Sequence, residues 1–323
     1  MILAPFGASL LVTIVAVTLL IPRLHRARIV GKDMHKPGRP EVAEMGGLAI
    51  VAGTGVGIST ALAMMSFFHV FQDASEVLLL AALATILLTA LIGIVDDLLG
   101  MRQVVKAFLP AVAALPLVAL RAGHTSLVIP FVGRIDFWIF YPLFLVPAGV
   151  MVAANAVNML AGFNGMEAGM GLVAMGSLAV IAASTHATTA LVILLAGAGA
   201  LLGVLFFNWY PAKILVGDVG TLSIGALIAT AVIVGNFETA GVIVIIPYAI
   251  DFLFKAAHGF PTTEWWGILG EDGKLRCPST GPVGLCQFIM KITGGIKEWA
   301  LTSVLMGVEL IFGMLAIAVY IWR

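Results

Sequence analysis

The sequence predicts an all-α polytopic membrane protein of about ten transmembrane helices, folded as a single integral membrane domain over residues 1–323. Hydrophobic residues make up 61% of the chain and charged residues 11%, whereas soluble domains average about 45–50% and about 25%. The mean hydropathy is +1.11, and the apolar residues form stretches long enough to cross a bilayer as helices. This composition excludes a soluble globular protein, a disordered chain and a nucleic-acid binder with a basic surface.

Ten apolar stretches are the candidate spans. They are 2–22, 45–68, 77–95, 107–121, 138–157, 168–185, 188–206, 220–236, 239–254 and 298–321. The fourth and ninth are short for a crossing, which takes about 20 residues. We expect that the first is not a cleavable signal peptide, because no basic residue precedes it and its basic cluster follows it.

The basic residues predict the orientation of the spans. Fourteen of the 17 lysines and arginines fall in the loops after spans one, three, seven and nine, whereas Arg121, Arg134 and Arg323 fall on the other side. Because basic loops stay in the cytoplasm, we expect the odd-numbered loops to be cytoplasmic and both termini to be extracytoplasmic.

Three features outside the spans complete the outline. The segment 125–137 carries β-branched residues around Pro-Phe-Val-Gly and predicts a short extracytoplasmic β-hairpin. The cytoplasmic loop at about 255–297 is the one sizeable insertion. It holds Cys277 and Cys286, the only cysteines, whose spacing of nine residues disfavours a disulfide framework or a cysteine metal site.

The first polar cluster lies at the cytoplasmic end of span three. Asp96 and Asp97 are adjacent, and Lys106 follows ten residues after the first of them. A solvated helix end would be the simpler interpretation, but adjacent carboxylates repel each other and contribute little to topology. Paired carboxylates suit a divalent cation or a general base, and ionisable groups at membrane depth are costly, so we expect a functional role.

The second cluster is the segment N-A-V-N-M-L-A-G-F-N-G-M-E-A-G at 155–169. A helix would place Asn155 and Asn158 on one face, since they are three residues apart. Gly162 and Gly165 would let the backbone leave the helix and approach a ligand. A glycine-rich helix break explains the glycines but not three asparagines in ten positions, whose amides could bind a hard cation or a base edge.

Asp218 forms the third cluster, between Gly217 and Gly220 and just before span eight. Two interpretations stay open from these residues. The carboxylate could be the N-cap of the following helix, or the helix start could bind a phosphate together with its cation.

The fourth cluster, in the long loop, is weaker evidence by itself. His258 lies near Lys255 and the pair Trp265 and Trp266, and tryptophans are also common at membrane interfaces. All four clusters nevertheless fall in odd-numbered loops, so we expect them to meet on the cytoplasmic face. Carboxylates, a lysine and glycine-rich turns at a lipid boundary predict phosphate chemistry on a lipid substrate.

These motifs resemble those of the polyprenyl-phosphate N-acetylhexosamine-1-phosphate transferase superfamily. Its members include the eukaryotic dolichyl-phosphate GlcNAc-1-phosphate transferase and the bacterial phospho-MurNAc-pentapeptide translocase. The resemblance covers almost the whole chain and is carried, in order, by G-K-D-M-H-K-P-G-R-P-E…M-G-G, D-D, N-A-V-N-M-L-A-G-F-N-G-M-E and L-V-G-D-V-G-T-L. The cytoplasmic active site of that family agrees with the distribution of basic residues.

The resemblance implies transfer of GlcNAc-1-phosphate from UDP-GlcNAc to a polyprenyl phosphate such as dolichyl phosphate, with Mg²⁺, or alternatively Mn²⁺, as cofactor. The residue roles that it implies are metal binding by Asp218 and Asn158, catalysis by Asp96, Asp97 and Lys106, and substrate binding by Lys106, Asn155, Gly162, Asn164, His258 and Glu41. Gly162 and Asn164 would read uracil. Whether the carboxylate pair deprotonates the lipid phosphate, orients it or supports the site around it stays open.

Within the superfamily the chain is most similar to the eukaryotic and archaeal branch. Asn164 stands where bacterial translocases usually carry Asp, and the bacterial His-rich motif is missing. The eukaryotic Arg-rich segment is also replaced, at 256–261, so Lys255 and Arg276 are alternative sugar-binding residues. We expect a cell-membrane protein, archaeal by preference, or an endoplasmic reticulum protein in a eukaryote.

Other functions stay open on the sequence. The sugar could be another UDP-N-acetylhexosamine, and a homodimer is possible. An ion-coupled transporter would use the carboxylates differently, but the charges lie at one face and not midway through the membrane. A non-catalytic assembly subunit would leave the four clusters unexplained.

Overall fold

The computed structural model describes residues 1–129, 133–260 and 266–321. In chain order its helices are α1 (Ala4–Ala27), α2 (Gly47–Phe68), α3 (Glu76–Leu99), α4 (Gln103–Ala113), α5 (Leu115–Ala119), α6 (Val146–Met159), α7 (Met166–Ser184), α8 (Thr188–Asn208), α9 (Gly217–Gly235), α10 (Glu238–Ala257), α11 (Leu285–Ile292) and α12 (Glu298–Ile321). Its strands are β1 (Val30–Lys32), β2 (Glu41–Ala43), β3 (Ser126–Ile129), β4 (Gly133–Asp136), β5 (Ile268–Leu269) and β6 (Leu275–Arg276).

Within these described ranges, nine helical segments are long and apolar enough to cross a membrane. They are α1, α2, α3, α6 with the π-helical turn Tyr141–Leu145 before it, α7, α8, α9, α10 and α12. The prediction of an all-α polytopic membrane protein is therefore confirmed. The strands in the described part of the chain form three two-stranded antiparallel sheets.

The predicted fourth span, 107–121, is the one that differs. Two short helices, α4 and α5, cover Gln103–Ala119 in its place. The break falls just before Leu115-Pro116, because a proline lacks the N–H that continues a helix and restricts the residue before it. The side of the membrane on which each terminus lies stays a prediction.

The predicted hairpin at 125–137 is present. β3 pairs antiparallel with β4, with Ser126 opposite Asp136 and Ile129 opposite Gly133. The connecting residues 130–132 lie outside the described part of the chain, as do Trp265 and Arg323.

Helix α9 is the centre of the bundle, since it is buried over nearly its whole length. Its neighbours approach it through glycines. A Cβ added at Gly47 of α2 would lie 2.1 Å from the backbone nitrogen of Gly220, and one at Gly93 of α3 would lie 2.4 Å from the Cα of Val219. Small residues allow such close backbone contact in lipid, and here they bring the starts of α2 and α9 and the end of α3 together.

Backbone hydrogen bonds reinforce this junction. Gly46 and Gly47 donate to the carbonyls of Leu215 and Val216, each at 2.8 Å, and Leu215 donates to Ala43 at 2.7 Å. The segment before α2 and the segment before α9 thus run side by side. Any group at the start of α9 consequently faces residues from the 28–46 loop.

The insertion after α10 is also attached to the bundle. The N–H of Leu285, at the start of α11, donates to Asp251 of α10 at 2.8 Å, and Leu275 and Ile296 exchange backbone hydrogen bonds. Lys255 forms an ion pair with Asp251 at 2.8 Å and donates to the carbonyl of Met159. The insertion is therefore joined to the end of α10, which in turn contacts the end of α6.

We predict that Gly93→Ala lowers the unfolding temperature. Alanine is normally better than glycine in a helix by about 1 kcal/mol, but the added methyl would meet the backbone of α9, and overpacking costs about 1–3 kcal/mol. Gly307→Ala in α12 is the matched control, since a Cβ there meets nothing within 4 Å. Thermal unfolding of both variants in detergent is the measurement, and equal unfolding temperatures would contradict the proposed close packing.

Candidate functional site

The start of α9 is capped by a carboxylate from another helix. Asp97, near the end of α3, accepts the N–H of Asp218 at 2.8 Å with one oxygen and the N–H of Val219 at 3.0 Å with the other. The residue in the N-cap position, Val216, gives no side-chain hydrogen bond. The N-cap interpretation of Asp218 is therefore wrong, and this side chain lies in the first helical turn, free to face the site.

Gly217 makes this arrangement possible. Its φ is +70°, which a residue with a side chain adopts only at a cost, and a Cβ there would lie 2.8 Å from Asp97. The glycine therefore serves both the turn before α9 and the approach of Asp97 to the helix start.

Lys106 joins two carboxylates at this point. Its ammonium lies 2.7 Å from Asp96 and also contacts Asp218, and the side chains of Lys106 and Asp96 are only 8% and 9% exposed. Asp96 also accepts the N–H of Met101 at 2.7 Å, which closes the turn between α3 and α4. Asp218 is 28% exposed and is the member of this group that solvent or a ligand can reach most easily.

The two asparagines of α6 have different partners. Asn158 donates to Asp218 at 2.6 Å and to the hydroxyl of Thr221 at 2.7 Å. Asn155 donates to the carbonyls of Ala107 and Met151, both at 2.8 Å. Asn158 therefore lies in the cluster of Asp218 and Lys106, whereas Asn155 holds α6 against α4.

Glu44 is a member of the site that the sequence reasoning missed. It lies directly before the M-G-G motif, and burial together with the charge of Asp218 raises the pKa of its carboxyl group above the usual value. In the sequence, the only indication of this role was the position of Glu44 beside the glycines at the start of α2. An isolated glutamate in a loop is common and does not by itself indicate a site. With Asp96, Asp97 and Asp218, it brings four carboxylates near one lysine.

This excess of negative charge fits a divalent cation. Hard cations prefer carboxylate and amide oxygens, and Asp218 with Asn158 supplies both kinds on adjacent helices. The partial exposure of Asp218 leaves a way in for an ion and a ligand.

The turn at 162–165 lies beside the cluster. Gly162 is exposed and has φ of +112°, and its N–H donates to Glu167 at 2.5 Å. Asn164 is 3% exposed, and its side chain contacts Lys36, Asp33 and the N–H of Ala212. The structure thus exposes the backbone of Gly162 and buries the side chain of Asn164.

Two expected substrate residues lie apart from this network. Glu41 is exposed and pairs with Lys32 across the β1–β2 sheet. His258 is exposed and its Nδ1 lies 2.8 Å from the carbonyl of Phe254. Within the described ranges, no hydrogen bond or ion pair joins either side chain to Asp218 or Lys106, so their roles stay predictions.

A second acidic cluster has the spacing of a metal site. Ligand atoms of Asp33, His35 and Glu298 all lie within 4.8 Å of one another. However, the ammonium of Lys36 lies 3.1 Å from Asp33 and 2.5 Å from Glu298, so a cation is already in place. Burial lowers the pKa of His35 to about 4, which keeps its ring neutral near pH 7.

Comparison with known proteins identifies the family of this chain. A model described as glycosyl transferase family 4 matches residues 79–236, the stretch from α3 to α9. A putative UDP-N-acetylglucosamine–dolichyl-phosphate N-acetylglucosaminephosphotransferase of Saccharolobus solfataricus is 37% identical over 319 residues, which cover 98% of this chain and 96% of that relative. The enzyme of that activity in Dictyostelium discoideum is 28% identical, with 91% and 81% covered.

A bacterial relative extends the comparison. A phospho-N-acetylmuramoyl-pentapeptide-transferase of Halalkalibacterium halodurans is 30% identical over 329 residues, with 97% of this chain and 96% of that relative covered. Fold and site together define a polytopic membrane enzyme with a charged site at the helix ends. The chain belongs to glycosyl transferase family 4, and its archaeal and eukaryotic relatives confirm the predicted branch.

We predict that Asp97→Ala destabilises the protein more than Asp97→Asn does. Alanine leaves the N–H groups of Asp218 and Val219 without acceptors, and losing a cap costs about 1–2 kcal/mol, whereas asparagine keeps one carbonyl oxygen. The unfolding temperature of the ligand-free protein is the measurement, with the exposed Asp73→Ala as control. Wild-type stability in the Asp97→Ala variant would show that this cap is unimportant.

Proposed function

We propose that this protein transfers GlcNAc-1-phosphate from UDP-GlcNAc to a polyprenyl phosphate, with dolichyl phosphate as the first candidate, and releases UMP. The observation that carries the proposal is the convergence of Asp96, Lys106, Asn158 and Asp218 at the ends of four helices. Relatives that match nearly the whole chain carry the name of this activity. Membership of a glycosyl transferase family gives no support to the transporter alternative.

The proposed cofactor is Mg²⁺, with Mn²⁺ as the alternative. Asp218 and Asn158 would hold the ion, because they offer adjacent hard oxygen ligands on the partly exposed side of the cluster. Bound there, a divalent cation neutralises part of the diphosphate charge that otherwise repels a second phosphate.

Lys106 is placed to bind the diphosphate. Its ammonium is held between Asp96 and Asp218, so it needs little reorganisation to donate to phosphate oxygens. Preorganised donors of this kind stabilise the charge that develops in phosphoryl transfer. An oxygen of the lipid phosphate forms a bond to the β-phosphorus of the UDP-sugar, and the bond from that phosphorus to the bridging oxygen breaks. UMP leaves with the bridging oxygen.

The carboxylate pair fits a positioning role better than a general base. Both oxygens of Asp97 accept backbone N–H groups, and both oxygens of Asp96 also have donors. A phosphate monoester has a second pKa of about 6, so the attacking oxygen is already largely ionised near neutral pH. Asp97 then fixes the start of α9, and Asp96 fixes Lys106.

The cytoplasmic location of the site is part of this proposal. It is supported by the 14 basic residues on the side of the clusters against three on the other. A cell membrane is the proposed location, because two relatives of the same named activity come from archaea.

UMP release is the test of the function. We predict that the purified protein releases UMP only with UDP-GlcNAc, polyprenyl phosphate and a divalent cation all present.

Asp218→Asn should reduce turnover by orders of magnitude and raise the Mg²⁺ concentration for half-maximal activity. Asp97→Asn should lower the rate, keep that concentration and keep the acidic limb of the pH–rate profile.

Each assignment can fail separately in that experiment. No UMP release with any UDP-N-acetylhexosamine would reject the function, whereas release with a different sugar would correct the substrate. A loss of the acidic limb in Asp97→Asn would make Asp97 a base, since general-base loss typically costs about 10²–10⁴-fold. Near-normal activity of Asp218→Asn would reject the metal assignment.

The isoprenoid tail needs an apolar surface that opens to the bilayer. A cavity of about 440 Å³ lies between α2 and α3 and reaches the start of α9. Its lining residues are Leu48, Val51, Ala52, Gly55, Val56, Ser59, Leu83, Leu87, Ala90, Ile94 and Val219. Val219 directly follows Asp218, so a tail in this groove would bring its phosphate to the cluster.

Filling the groove tests this location. We predict that Gly55→Leu raises the KM for polyprenyl phosphate and leaves the KM for UDP-GlcNAc unchanged. A Cβ at Gly55 meets only Leu83, at 3.8 Å, so a leucine fits there and its side chain takes up space in the groove. Gly307→Leu, in α12, is the control. If Gly55→Leu leaves the lipid KM unchanged, the tail lies elsewhere on the bundle.

A further inference from the structure

A second cavity lies at the end of the bundle opposite to Asp218. It has a volume of about 350 Å³ and is bounded by the start of α3, the turn after α5 and the end of α9. Helix α9 is 19 residues long, with Asp218 in its first turn and Asn236 directly after its end. Since a helix rises about 1.5 Å per residue, the cavity lies roughly 27 Å from Asp218. It is therefore separate from the candidate active site.

We name this cavity the Arg121 pocket. Its lining residues include Ser75, Val77, Leu120, Arg121, His124 and Asn236. Among the described lining residues none is acidic, and no ion pair of the described ranges includes Arg121 or His124. A guanidinium presents five donors in a planar fork that matches a phosphate. The wall of the pocket therefore favours an anionic ligand.

Hydrogen bonds fix the walls of the pocket. The N–H of Ser75 donates to the hydroxyl of Thr189 at 2.9 Å, which holds the start of α3 against α8. The N–H of His124 donates to the side-chain oxygen of Asn236 at 2.6 Å, which holds the turn after α5 against the end of α9. The three walls are thus joined by contacts that leave the side chain of Arg121 out. This arrangement gives the pocket a defined shape before a ligand enters.

Neither the backbone nor the topology explains an arginine at position 121. The φ of Arg121 is +50°, in the left-handed region that a residue with a side chain adopts only at a cost. Arg121 is also one of three basic residues predicted on this side of the membrane, against 14 on the other. Strained residues cluster where a ligand is bound. A ligand for the guanidinium accounts for both observations.

The rim of the pocket is apolar. Val77 and Leu120 are 57% and 43% exposed, and Val77 lies in the first turn of a helix that is long enough to cross the membrane. The exposed Trp138, before α6, lies at the same end of the bundle, and tryptophans are common at the depth of the lipid headgroups. A ligand with an anionic group for Arg121 and apolar chains for the rim fits both parts of the pocket.

We propose that the Arg121 pocket binds the headgroup of an anionic phospholipid in the leaflet opposite to the candidate active site. Arg121 donates to the phosphate, and the acyl chains lie along Val77 and Leu120. The bound lipid joins the ends of α3, α5 and α9 and so stabilises the fold. It takes no part in the proposed transfer reaction, which lies at the other end of α9.

Counting bound lipids tests the pocket. Native mass spectrometry of the whole protein in a neutral detergent, with phosphatidylglycerol added, gives the number of lipids retained at low concentration. Arg121→Gln should retain one fewer than the wild type, with the dissociation constant of that lipid raised about tenfold or more, because a hydrogen bond to a charged group contributes this much. Arg134→Gln removes an exposed arginine at the same end and is the matched control, which should retain the wild-type number.

Two further variants separate lipid binding from folding. Val77→Trp fills the rim and keeps Arg121, and it should lose the same lipid. Arg121→Lys keeps the charge without the planar fork and should lose less affinity than Arg121→Gln. All three should unfold at the wild-type temperature without lipid. If Arg121→Gln does not fold, Val77→Trp decides, and wild-type retention in the folded variants overturns the proposal.

The chemical class of the ligand is tested by two other probes. Phosphatidylcholine with the same acyl chains should not replace the lost lipid, and equal retention of it would overturn the anionic headgroup. Phosphatidylglycerol should raise the unfolding temperature of the wild type more than that of Arg121→Gln, whereas inorganic phosphate should act on both equally. An Arg121-dependent effect of inorganic phosphate, with none of the lipid, would make the ligand a free anion and overturn the lipid assignment.

Discussion

The hydrogen bonds from the start of α9 to the carboxylate of Asp97 are the interaction on which the site depends. They fix the first turn of the central helix against the end of α3, and so they set the distance from Asp218 to Lys106 and Asp96. The close approach of Gly93 to Val219 allows this contact. Because α9 is also packed against α2 and α6 through glycines, the same turn meets Glu44 and Asn158. Polar side chains from five chain segments, four of them charged, are thereby gathered around one helix end.

The transmembrane helices were largely predictable, because each depends on the hydrophobicity of its own stretch of sequence. A run of about 20 apolar residues reports a bilayer span by itself, and nine predicted spans lie within a few residues of long helices. The fourth span is predicted from hydrophobicity alone, whereas Pro116 interrupts the helix there. The grouping of Asp96, Lys106, Asn158 and Asp218 was also within reach of the sequence, since loop parity places all of them at one face.

Contacts between side chains that are distant in the chain could not be predicted from the sequence. Support of the site is one of the roles that the resemblance implies for Asp97, but the sequence does not indicate that its oxygens cap a helix that begins 120 residues later. Lys36 and Glu298 are 262 positions apart, and neither is unusual among its neighbours in the chain. Burial, together with the charge of Asp218, raises the pKa of Glu44, and the residues around Glu44 in the sequence indicate neither cause. A sequence pattern indicates whether a residue is polar or apolar. The burial of that residue and the charges beside it depend on how distant parts of the chain pack together.

The order of the segments along the chain has a consequence for how the protein is made. Asp96 and Asp97 enter the membrane region with the third span, long before Asn158 and Asp218 have been synthesised. Until α9 is inserted, Asp96 can pair with Lys106, whereas Asp97 and the glycines of α2 and α3 have no central helix to contact. Helix α9 is therefore the last of these segments to join, and its insertion brings Asp218 to Asp96, Lys106 and Asn158. A ribosome that stops before residue 217 would leave a membrane-inserted chain without Asp218 and without the helix on which α2, α3 and α6 pack.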